Sequence, residues 1–115
     1  MSDCLFCKII RKEIPAKLVY EDEDILAIND INPKAPIHIL VMPKKHIRSM
    51  QKVSGQDKDL LGQLLLGIKE TAGKLGIRES GFKVVVNNGE NAGQVIGHLH
   101  FHVLGGWKKK EKWRV

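Results

Sequence analysis

The spacing of apolar residues changes along the chain and predicts one long helix. From about residue 57 to residue 75, leucine, isoleucine and alanine recur at spacings of four and three, the period of a helix with one buried face. Ser54 precedes this segment as a candidate N-cap. Glycines inside an exposed helix cost roughly 1 kcal/mol each relative to alanine. We therefore expect close packing on a sheet to compensate for Gly62, Gly67 and Gly73.

Shorter apolar runs around this helix have the composition of β-strands. Leu18 to Tyr20 and Ile25 to Ile28 are separated by an acidic turn and predict a hairpin. A proline-bracketed loop leads into the next strand, Ile37 to Met42, and Phe82 to Val86 predicts a buried strand after the long helix. At the start of the chain, Cys4 to Glu13 has helical spacing and stops ahead of a proline, which predicts a short helix.

Residues 98 to 104, His-Leu-His-Phe-His-Val-Leu, alternate polar and apolar side chains with the period of a strand. In a strand, His98, His100 and His102 share one face, and the intervening apolar residues are buried on the other. A neutral imidazole can be a nucleophile, a general base or a metal ligand near neutral pH. The pattern predicts a row of reactive imidazoles over a core, and solvent-facing histidines on an amphipathic strand stay open as the alternative.

The spacing of the three histidines limits what they can bind together. Residues i and i+4 of a strand lie roughly 13 Å apart at about 3.3 Å per residue, so one ion held by all three is disfavoured. Two of them could share an ion and leave the third for other work. An expression tag does not fit, because the histidines alternate with strand-forming residues inside the chain.

Composition indicates one globular domain. The 115 residues, 43% of them hydrophobic, suffice for one core and are too few for two ordinary domains. No apolar run approaches the roughly 20 residues of a membrane span, and no signal-peptide pattern opens the chain. We therefore expect no membrane partner and a cytoplasmic location.

The basic character of the chain is concentrated at its C-terminus. The formal net charge is +6, of which +4 lies in Lys108 to Val115, so the remainder is nearly balanced. Together with Trp107 and Trp113, this segment predicts a solvated or partner-docking tail, and we do not expect nucleic acid as a partner.

Several segments in a fixed order carry a resemblance to a known family. Besides the histidine run and its Leu104-Gly105-Gly106 ending, they are Phe6, Ile9 to Ala16, Asp30 to Pro33, His38, Pro43 to Ile47 and the loop at Asn87. Over about residues 4 to 106 the chain resembles the histidine triad (HIT) superfamily. The glycine-rich ending and the N-terminal Cys-x-x-Cys resemble a prokaryote-like member of its nucleotide-binding (HINT) branch.

This resemblance implies an α+β, HIT-like fold: an antiparallel sheet of about five strands, one long helix and a short N-terminal helix. A single HIT domain would span residues 1–115, with a core at about 4–106 and the basic tail at 107–115. The family also implies a homodimer, in which the tail can cross to the partner's site. We leave open whether this tail shapes that site or is disordered.

The implied activity is hydrolysis or transfer of purine nucleoside monophosphates from 5′-phosphoramidates or aminoacyl adenylates, without an organic cofactor. Two other functions stay open: a nucleotide-binding regulatory protein with weak catalysis, and a dinucleoside polyphosphate hydrolase. The short chain and its Gly105-Gly106 ending favour the first function over the hydrolase of dinucleotides.

In the family pattern, His100 attacks the α-phosphorus and gives a nucleotidyl-imidazole intermediate that water opens. The backbone carbonyl of His98 or the side chain of His38 is expected to orient its ring, although His38 could equally be a satisfied core histidine. His102 would donate to phosphate oxygens. Backbone N–H groups of Gly93-Gln94-Val95 would add to this cradle.

The resemblance also implies where the nucleoside binds. Asp30 would accept the ribose hydroxyls, since a carboxylate can accept two donors. Asn87 and Gln94 would hydrogen-bond around phosphate and ribose, and Asn87 could instead serve only its turn. The base would lie on an apolar wall formed by Leu5, Phe6 and Ile31. Phe6 could instead be a plain core residue.

Cys4 and Cys7 form a Cys-x-x-Cys pair, which in a cytoplasmic protein indicates metal or redox chemistry. A redox motif would stand between a strand and a helix, whereas this pair opens the chain. The resemblance implies a structural zinc held with His46 and His98, and Cys2His2 suits tetrahedral zinc. Free thiols stay open as the alternative. With zinc bound, His98 would position the strand and transfer no proton.

Val95 departs from the family pattern, in which many members carry a serine that supports the leaving amine. Because valine has no donor, we expect leaving-group assistance to be weaker or to come from water or another group. Val95→Ser should raise the turnover of a phosphoramidate with a poor leaving group in a steady-state assay. No change, or a loss, would count against this expectation.

Overall fold

The structure is a computed structural model that describes residues 4–110. Their strands form one antiparallel sheet in the order β1-β2-β3-β5-β4. The predicted α+β fold, with one long helix and a short N-terminal helix, is confirmed. The elements are α1 (Leu5–Ile10), β1 (Leu18–Glu21), β2 (Ile25–Asn29), β3 (Ile37–Pro43), α2 (Lys58–Lys74), β4 (Phe82–Val85) and β5 (Phe101–Gly105).

The two faces of the sheet bury separate apolar clusters, because alternate side chains of a strand point to opposite faces. The cluster between the sheet and α2 contains Ile25, Ala27, Ile39, Val41, Leu64, Ile68, Phe101 and Val103. The cluster beneath α1 contains Phe6, Ile9, Leu26, Ile28, Leu40 and Met42. The histidines of the run lie on the face of the sheet that α1 covers, opposite the face that packs against α2.

The histidine strand is shorter than predicted. β5 begins at Phe101, so His98 and His100 precede it and only His102 lies within it. In the β3–β5 register Val41 is opposite Phe101, and a continued ladder would place Pro43 opposite Leu99. Proline has no N–H to donate, which ends regular pairing there. The predicted alternation survives, because Leu99, Phe101 and Val103 all belong to the same buried apolar cluster.

The long helix begins one residue later than predicted, after a short 3-10 turn at Gly55–Asp57. Ser54 caps that turn, and the Asp57 side chain accepts from its backbone N–H in a capping box. Close packing explains Gly67, since a Cβ there would lie 3.4 Å from Ile25. At Gly62 a Cβ would meet nothing within 4 Å, so packing on the sheet does not explain that glycine.

Two other predictions change in detail. β4 is an edge strand with partly exposed side chains, not a buried strand, because only β5 pairs with it. The N-terminal helix ends at Ile10, well before Glu13, and Lys12 adopts a positive φ of 66° after it. The β1–β2 hairpin forms as predicted, and Asp22 accepts from two backbone N–H groups in its turn.

No helix among residues 4–110 combines the length and the apolar character that crossing a membrane requires. The end of the predicted basic tail, including Trp113, lies outside the described residues.

Candidate active site and metal centre

His100 is buried, and a hydrogen bond to the backbone fixes its ring. Its Nδ1 lies 2.7 Å from the carbonyl oxygen of His98. A carbonyl only accepts, so Nδ1 carries the proton and the neutral ring keeps its lone pair on Nε2. The ring of Phe6 packs edge-on against His100 at a centroid distance of 5.0 Å. His100 therefore has an unprotonated nitrogen, as a nucleophile requires.

A chain of hydrogen bonds gives His102 the other tautomer. The backbone N–H of Lys34 donates to Nδ1 of His38 over 3.0 Å, so His38 carries its proton on Nε2. That nitrogen lies 2.9 Å from Nδ1 of His102, which must accept. Neutral His102 therefore carries its proton on Nε2. The rings of His100 and His102, 5.2 Å apart between centroids, thus offer a lone pair and an N–H respectively.

The ionisation of these rings agrees with this assignment. The pKa of His102 is lowered to about 4, chiefly by burial and then by the neighbouring His100 and His38 rings. Burial lowers the pKa of His38 as well, and the negative charge of Asp30 only partly opposes it. Both rings are neutral at pH 7, so His102 can donate as a neutral imidazole.

The structure corrects one expected contact. His38 was one of two candidates to orient His100, and its side chain instead contacts His102. In the β3–β5 register, His38 is opposite Leu104 and His102 is opposite Leu40, so the two histidines are diagonal neighbours on one face. His100 lies beyond the paired end of β5. The other candidate, the carbonyl of His98, is the group that contacts His100.

Cys4, Cys7, His46 and His98 meet where the N-terminus of α1 approaches the start of the histidine run. Nδ1 of His98 lies 3.4 Å from Cys4 Sγ and 3.6 Å from Cys7 Sγ. Nδ1 of His46 lies 3.2 Å from Cys7 Sγ and 3.2 Å from Nδ1 of His98. Tetrahedral zinc with ordinary bond lengths separates its ligand atoms by roughly 3.3 to 3.8 Å. The four side chains therefore fit a zinc ion.

The tautomer of His98 also suits metal binding. Its Nε2 lies 2.8 Å from the carbonyl oxygen of Pro43, so that nitrogen carries the proton and Nδ1 faces the cluster with a free lone pair. Burial lowers the pKa of His98, which keeps the ring neutral. Because His98 also holds His100 through its backbone carbonyl, the candidate metal centre adjoins the candidate nucleophile.

Asp30, His38 and His102 form a second group whose ligand atoms lie close together. Its hydrogen bonds argue against a metal there. His38 already accepts at Nδ1 from Lys34, so Nε2 of the neutral ring carries a proton where a metal would need the lone pair. That Nε2 also lies 3.4 Å from Oδ2 of Asp30. We interpret this group as a hydrogen-bonded chain that holds His102.

The glycine-rich loop before the run uses many of its polar groups internally. Gln94 accepts from Gly89 N–H and donates to the carbonyls of Arg48 and Ile96, so its side-chain amide is engaged within the loop. The N–H groups of Gly93 and Gln94 donate to Glu90 and Gly89 respectively. Of the predicted cradle, only the N–H of Val95 is without an acceptor among residues 4–110.

Asn87 donates to the carbonyl of Ala92 over 2.8 Å, which is the turn role left open above. This contact uses its amide nitrogen and spans the short 3-10 turn at Glu90–Ala92. The phosphate or ribose role of Asn87 remains a prediction.

The residues predicted around the base differ widely in exposure. Phe6 is only 2% exposed, so it is part of the core and supports the His100 ring. Ile31 is 92% exposed and Leu5 41% exposed, so both present apolar surface to solvent. Asp30 accepts at Oδ1 from the N–H of Asn32. Leu5, Ile31 and Asp30 remain predictions for the nucleoside, whereas the buried ring of Phe6 has little surface left for a base.

Two backbone groups at the site had no role in the sequence expectations. They are the N–H of Lys34, which sets the His38 tautomer, and the carbonyl of Pro43, which sets that of His98. Pro43 belongs to a segment that carries the family resemblance, which is a hint of importance. Its function as an acceptor depends on where the folded backbone runs, and no side-chain type signals it.

Comparison with known proteins places the chain in a family. The HIT domain family matches residues 11–109. An uncharacterised HIT-like protein from Synechocystis is 51% identical over 105 residues, which cover 91% of either chain. A HIT family hydrolase from Legionella pneumophila superposes with a TM-score of 0.92 at 44% identity and covers 97% of this chain and 98% of its own. A histidine triad nucleotide-binding protein from Candida albicans has a TM-score of 0.81 at 32% identity over 96% of this chain and 86% of its own. The chain belongs to the HIT family.

Proposed function

We propose that this protein is a hydrolase or transferase that cleaves nucleoside 5′-phosphoramidates or aminoacyl adenylates through a nucleotidyl-histidine intermediate. The observation that carries the proposal is the pair of opposite tautomers: a lone pair on His100 Nε2 beside an N–H on His102 Nε2. A hydrolase and a nucleotide-binding protein among the structural neighbours support the same conclusion.

The chemistry follows from these two rings. His100 Nε2 attacks the α-phosphorus, a P–N bond to the ring forms, and the P–N bond to the leaving amine of a phosphoramidate, or the P–O bond to the leaving carboxylate of an aminoacyl adenylate, breaks. The Nδ1 proton stays hydrogen-bonded to the His98 carbonyl, so the modified ring is cationic and a good leaving group. His102 donates to a non-bridging oxygen as charge grows there. Val95 has no side-chain donor, so a leaving amine takes its proton from water. A second water then releases the nucleoside monophosphate and regenerates His100.

For binding, we propose that Asp30 accepts the ribose hydroxyls and that a purine base lies on the exposed apolar surface of Leu5 and Ile31. The side chain of Asp30 is partly exposed, and within residues 4–110 the partner of its Oδ2 is His38, at 3.4 Å. The N–H of Val95 is available to a phosphate oxygen.

We also propose a structural zinc ion in the Cys4, Cys7, His46 and His98 centre, on the strength of the distances given above. When bound, the metal would supply a cross-link between α1 and the segment that enters β5. No catalytic step passes through it.

A homodimer is proposed from the exposed apolar side chains. Leu65 and Leu66 on α2 are 59% and 63% exposed, and Val84 lies exposed on the edge strand β4. A second copy would cover such surface. We further propose that residues 1–115 fold as a single HIT domain.

Replacement of the nucleophile tests the proposed function. His100→Ala should abolish hydrolysis of adenosine 5′-phosphoramidate, while AMP binding, measured by calorimetry, survives. Wild-type protein quenched during turnover should carry an acid-labile adenylyl group that mass spectrometry finds on His100. Full activity in His100→Ala would overturn the nucleophile assignment.

A substrate panel separates the proposed function from its two alternatives. It contains adenosine and guanosine phosphoramidates, aminoacyl adenylates and dinucleoside polyphosphates. A preference for dinucleoside polyphosphates, or tight AMP binding without turnover of any substrate, would each contradict the proposed activity.

A further inference from the structure

Arg48 occupies a position beside the histidine run that the proposed chemistry does not yet use. It lies two residues after His46, in a segment where Ile47 and Ser49 are buried and Arg48 is exposed. Its guanidinium lies against Gly97, because a Cβ on that glycine would come within 2.9 Å of Nη1. Gly97 directly precedes His98, whose carbonyl fixes His100. The cation therefore lies against the residue that leads directly into the histidine run.

Two cavities meet at this side chain. One, of about 450 Å³, is lined by Cys4, Leu5, His46, Arg48, Val95, Ile96 and Gly97. The other, of about 290 Å³, has Arg48, Lys52, Glu90, Val95 and Gly97 among its lining residues. Both share the loop at Val95 and Gly97. Arg48 thus lies between the cavities, beside the loop that carries Val95 and Gly97.

The guanidinium of Arg48 is available to a ligand. Within residues 4–110 it makes no hydrogen bond and no ion pair, whereas Arg11 and Arg78 each pair with a glutamate. Its backbone carbonyl is held by Gln94, so the main chain at this position is fixed while the cation faces the cavities. Arginine is the side chain best suited to a planar anion, which it binds through two parallel N–H bonds.

The charge of the cavity walls also favours an anion. Among residues 4–110, Arg48 is the only arginine, lysine or acidic residue lining the larger cavity, and the smaller cavity adds the opposite charges of Lys52 and Glu90. The exposed side chain of Val95 supplies no polar group. The part of a substrate that enters this region therefore meets positive charge and apolar surface. The single carboxylate, Glu90, lines only the smaller cavity.

We infer that Arg48 recognises a carboxylate on the leaving group, so that the preferred substrates are phosphoramidates formed through the amino group of an amino acid with a free carboxylate. This inference rests on the proposed function and names its substrate class. The reacting bonds are those already given: His100 gains the phosphorus, and the amino acid leaves as its free amine with a proton from water. Arg48 binds the carboxylate and takes no part in bond breaking.

The test compares two substrates, of which only one carries this charge, and follows how the ratio of their kcat/KM values changes when Arg48 is replaced. Adenosine 5′-phosphoramidates of glycine and of glycinamide have nearly the same shape, but only the first carries a carboxylate. In wild-type protein, kcat/KM should favour the glycine compound by on the order of fivefold, the size expected of a partly exposed charge pair. The preference should shrink as salt is added. Arg48→Gln should bring the ratio close to one, and Arg48→Glu should invert it.

Arg78→Gln is the matched control, since this arginine is also exposed and pairs with a neighbouring glutamate away from the cavities. It should keep the wild-type ratio. Gly97→Ala provides a second variant, because its methyl group would displace the flexible end of Arg48 without altering the charge. The ratio should fall in this variant too, while thermal unfolding stays close to that of wild type.

The outcomes separate this inference from the proposed function. If Arg48→Gln lowers kcat/KM equally for both substrates, Arg48 serves a shared part of them and the inference is wrong. An unchanged ratio in that variant would overturn it as well, and so would a wild-type preference for the glycinamide compound. If neither substrate is turned over in a His100-dependent reaction, the proposed function itself fails.

Discussion

At the scale of single residues, the histidines of the run differ because each has a different acceptor or donor. His98 donates to the carbonyl of Pro43, His100 donates to the carbonyl of His98, and His102 accepts from His38. The same side chain therefore becomes a candidate ligand, nucleophile or donor according to which nitrogen keeps its lone pair. These assignments give two predictions.

His38→Phe removes the donor to His102 and leaves the Lys34 N–H without its acceptor. His102 should then populate both tautomers, and kcat/KM for adenosine phosphoramidate should fall by about tenfold or more, as expected when a proton-bearing group is misplaced. The tautomer can be read from ¹⁵N chemical shifts of labelled histidine. His38→Gln keeps an N–H donor, so it should retain much of the wild-type kcat/KM and of the wild-type His102 ¹⁵N shifts. Normal His102 shifts in His38→Phe would contradict the assignment.

His102 also predicts how stability depends on pH. Its pKa is about 4 in the folded chain and about 6.5 when unfolded, so between these values the unfolded chain binds more protons. The free energy of unfolding should therefore decrease as pH falls from 7 towards 4. Urea titrations at pH 7 and pH 5 should show a loss about 2 kcal/mol larger in wild type than in His102→Asn. Equal losses in the two proteins would refute the prediction.

At the scale of elements, the candidate metal centre joins parts of the chain that lie far apart in the sequence. α1 has six residues, too short to be stable alone, and Cys4 caps it by accepting from the N–H of Cys7. The other two candidate ligands come from the segments after β3 and before β5. A metal would thus fix α1, and with it Phe6, against the His100 ring.

Removing the metal should therefore destabilise the N-terminal layer. We expect a strong chelator to lower the melting temperature by on the order of 10 °C, since loss of a tightly bound ligand removes several kcal/mol of folding free energy. Cys7→Ser should have a lower melting temperature than wild type, and the chelator should change that temperature little. Metal analysis of the untreated protein should find about one zinc per chain. A wild-type melting temperature that the chelator leaves unchanged would argue for free thiols.

At the scale of the whole molecule, apolar surface remains on the side of α2 that faces away from the sheet and on the edge strand. Exposed leucines on an otherwise charged helix are the kind of surface that a second copy covers. Leu18 is also exposed, but it lies on β1, at the opposite edge of the sheet from β4.

Leu66→Lys should shift the protein towards monomer, because a charged side chain in an apolar interface is costly to bury. Light scattering after size-exclusion chromatography measures the mass directly. Leu18→Lys, a matched substitution on the other edge, should leave the dimer intact. A dimer that persists in Leu66→Lys, with Leu65→Lys giving the same result, would place the interface elsewhere.

Much of the fold could be predicted because local patterns specify it. The spacing of Leu64, Ile68 and Ala72 fixed the buried face of α2, and the acidic turn fixed the β1–β2 hairpin. Boundaries were less accurate where a distant segment decides them. β5 begins at Phe101 because Pro43 of the neighbouring strand has no N–H to continue the ladder, and β4 is an edge strand only because no further strand pairs with it.

The features of the candidate site likewise fall into those that the sequence predicts and those that depend on the folded structure. The sequence by itself determined that the three histidines of the run share one face, that Cys4 and Cys7 stand together at the chain start, and that the chain resembles the HIT family. These follow from short-range periodicity and motif order. Only the tertiary structure decided that His38 contacts His102 and not His100, that Gln94 is engaged within its own loop, and that Arg48 lies unpaired beside Gly97. The physical reason is that a tautomer, a lowered pKa or a free cation depends on partners brought close by folding, and those partners lie tens of residues away in the chain.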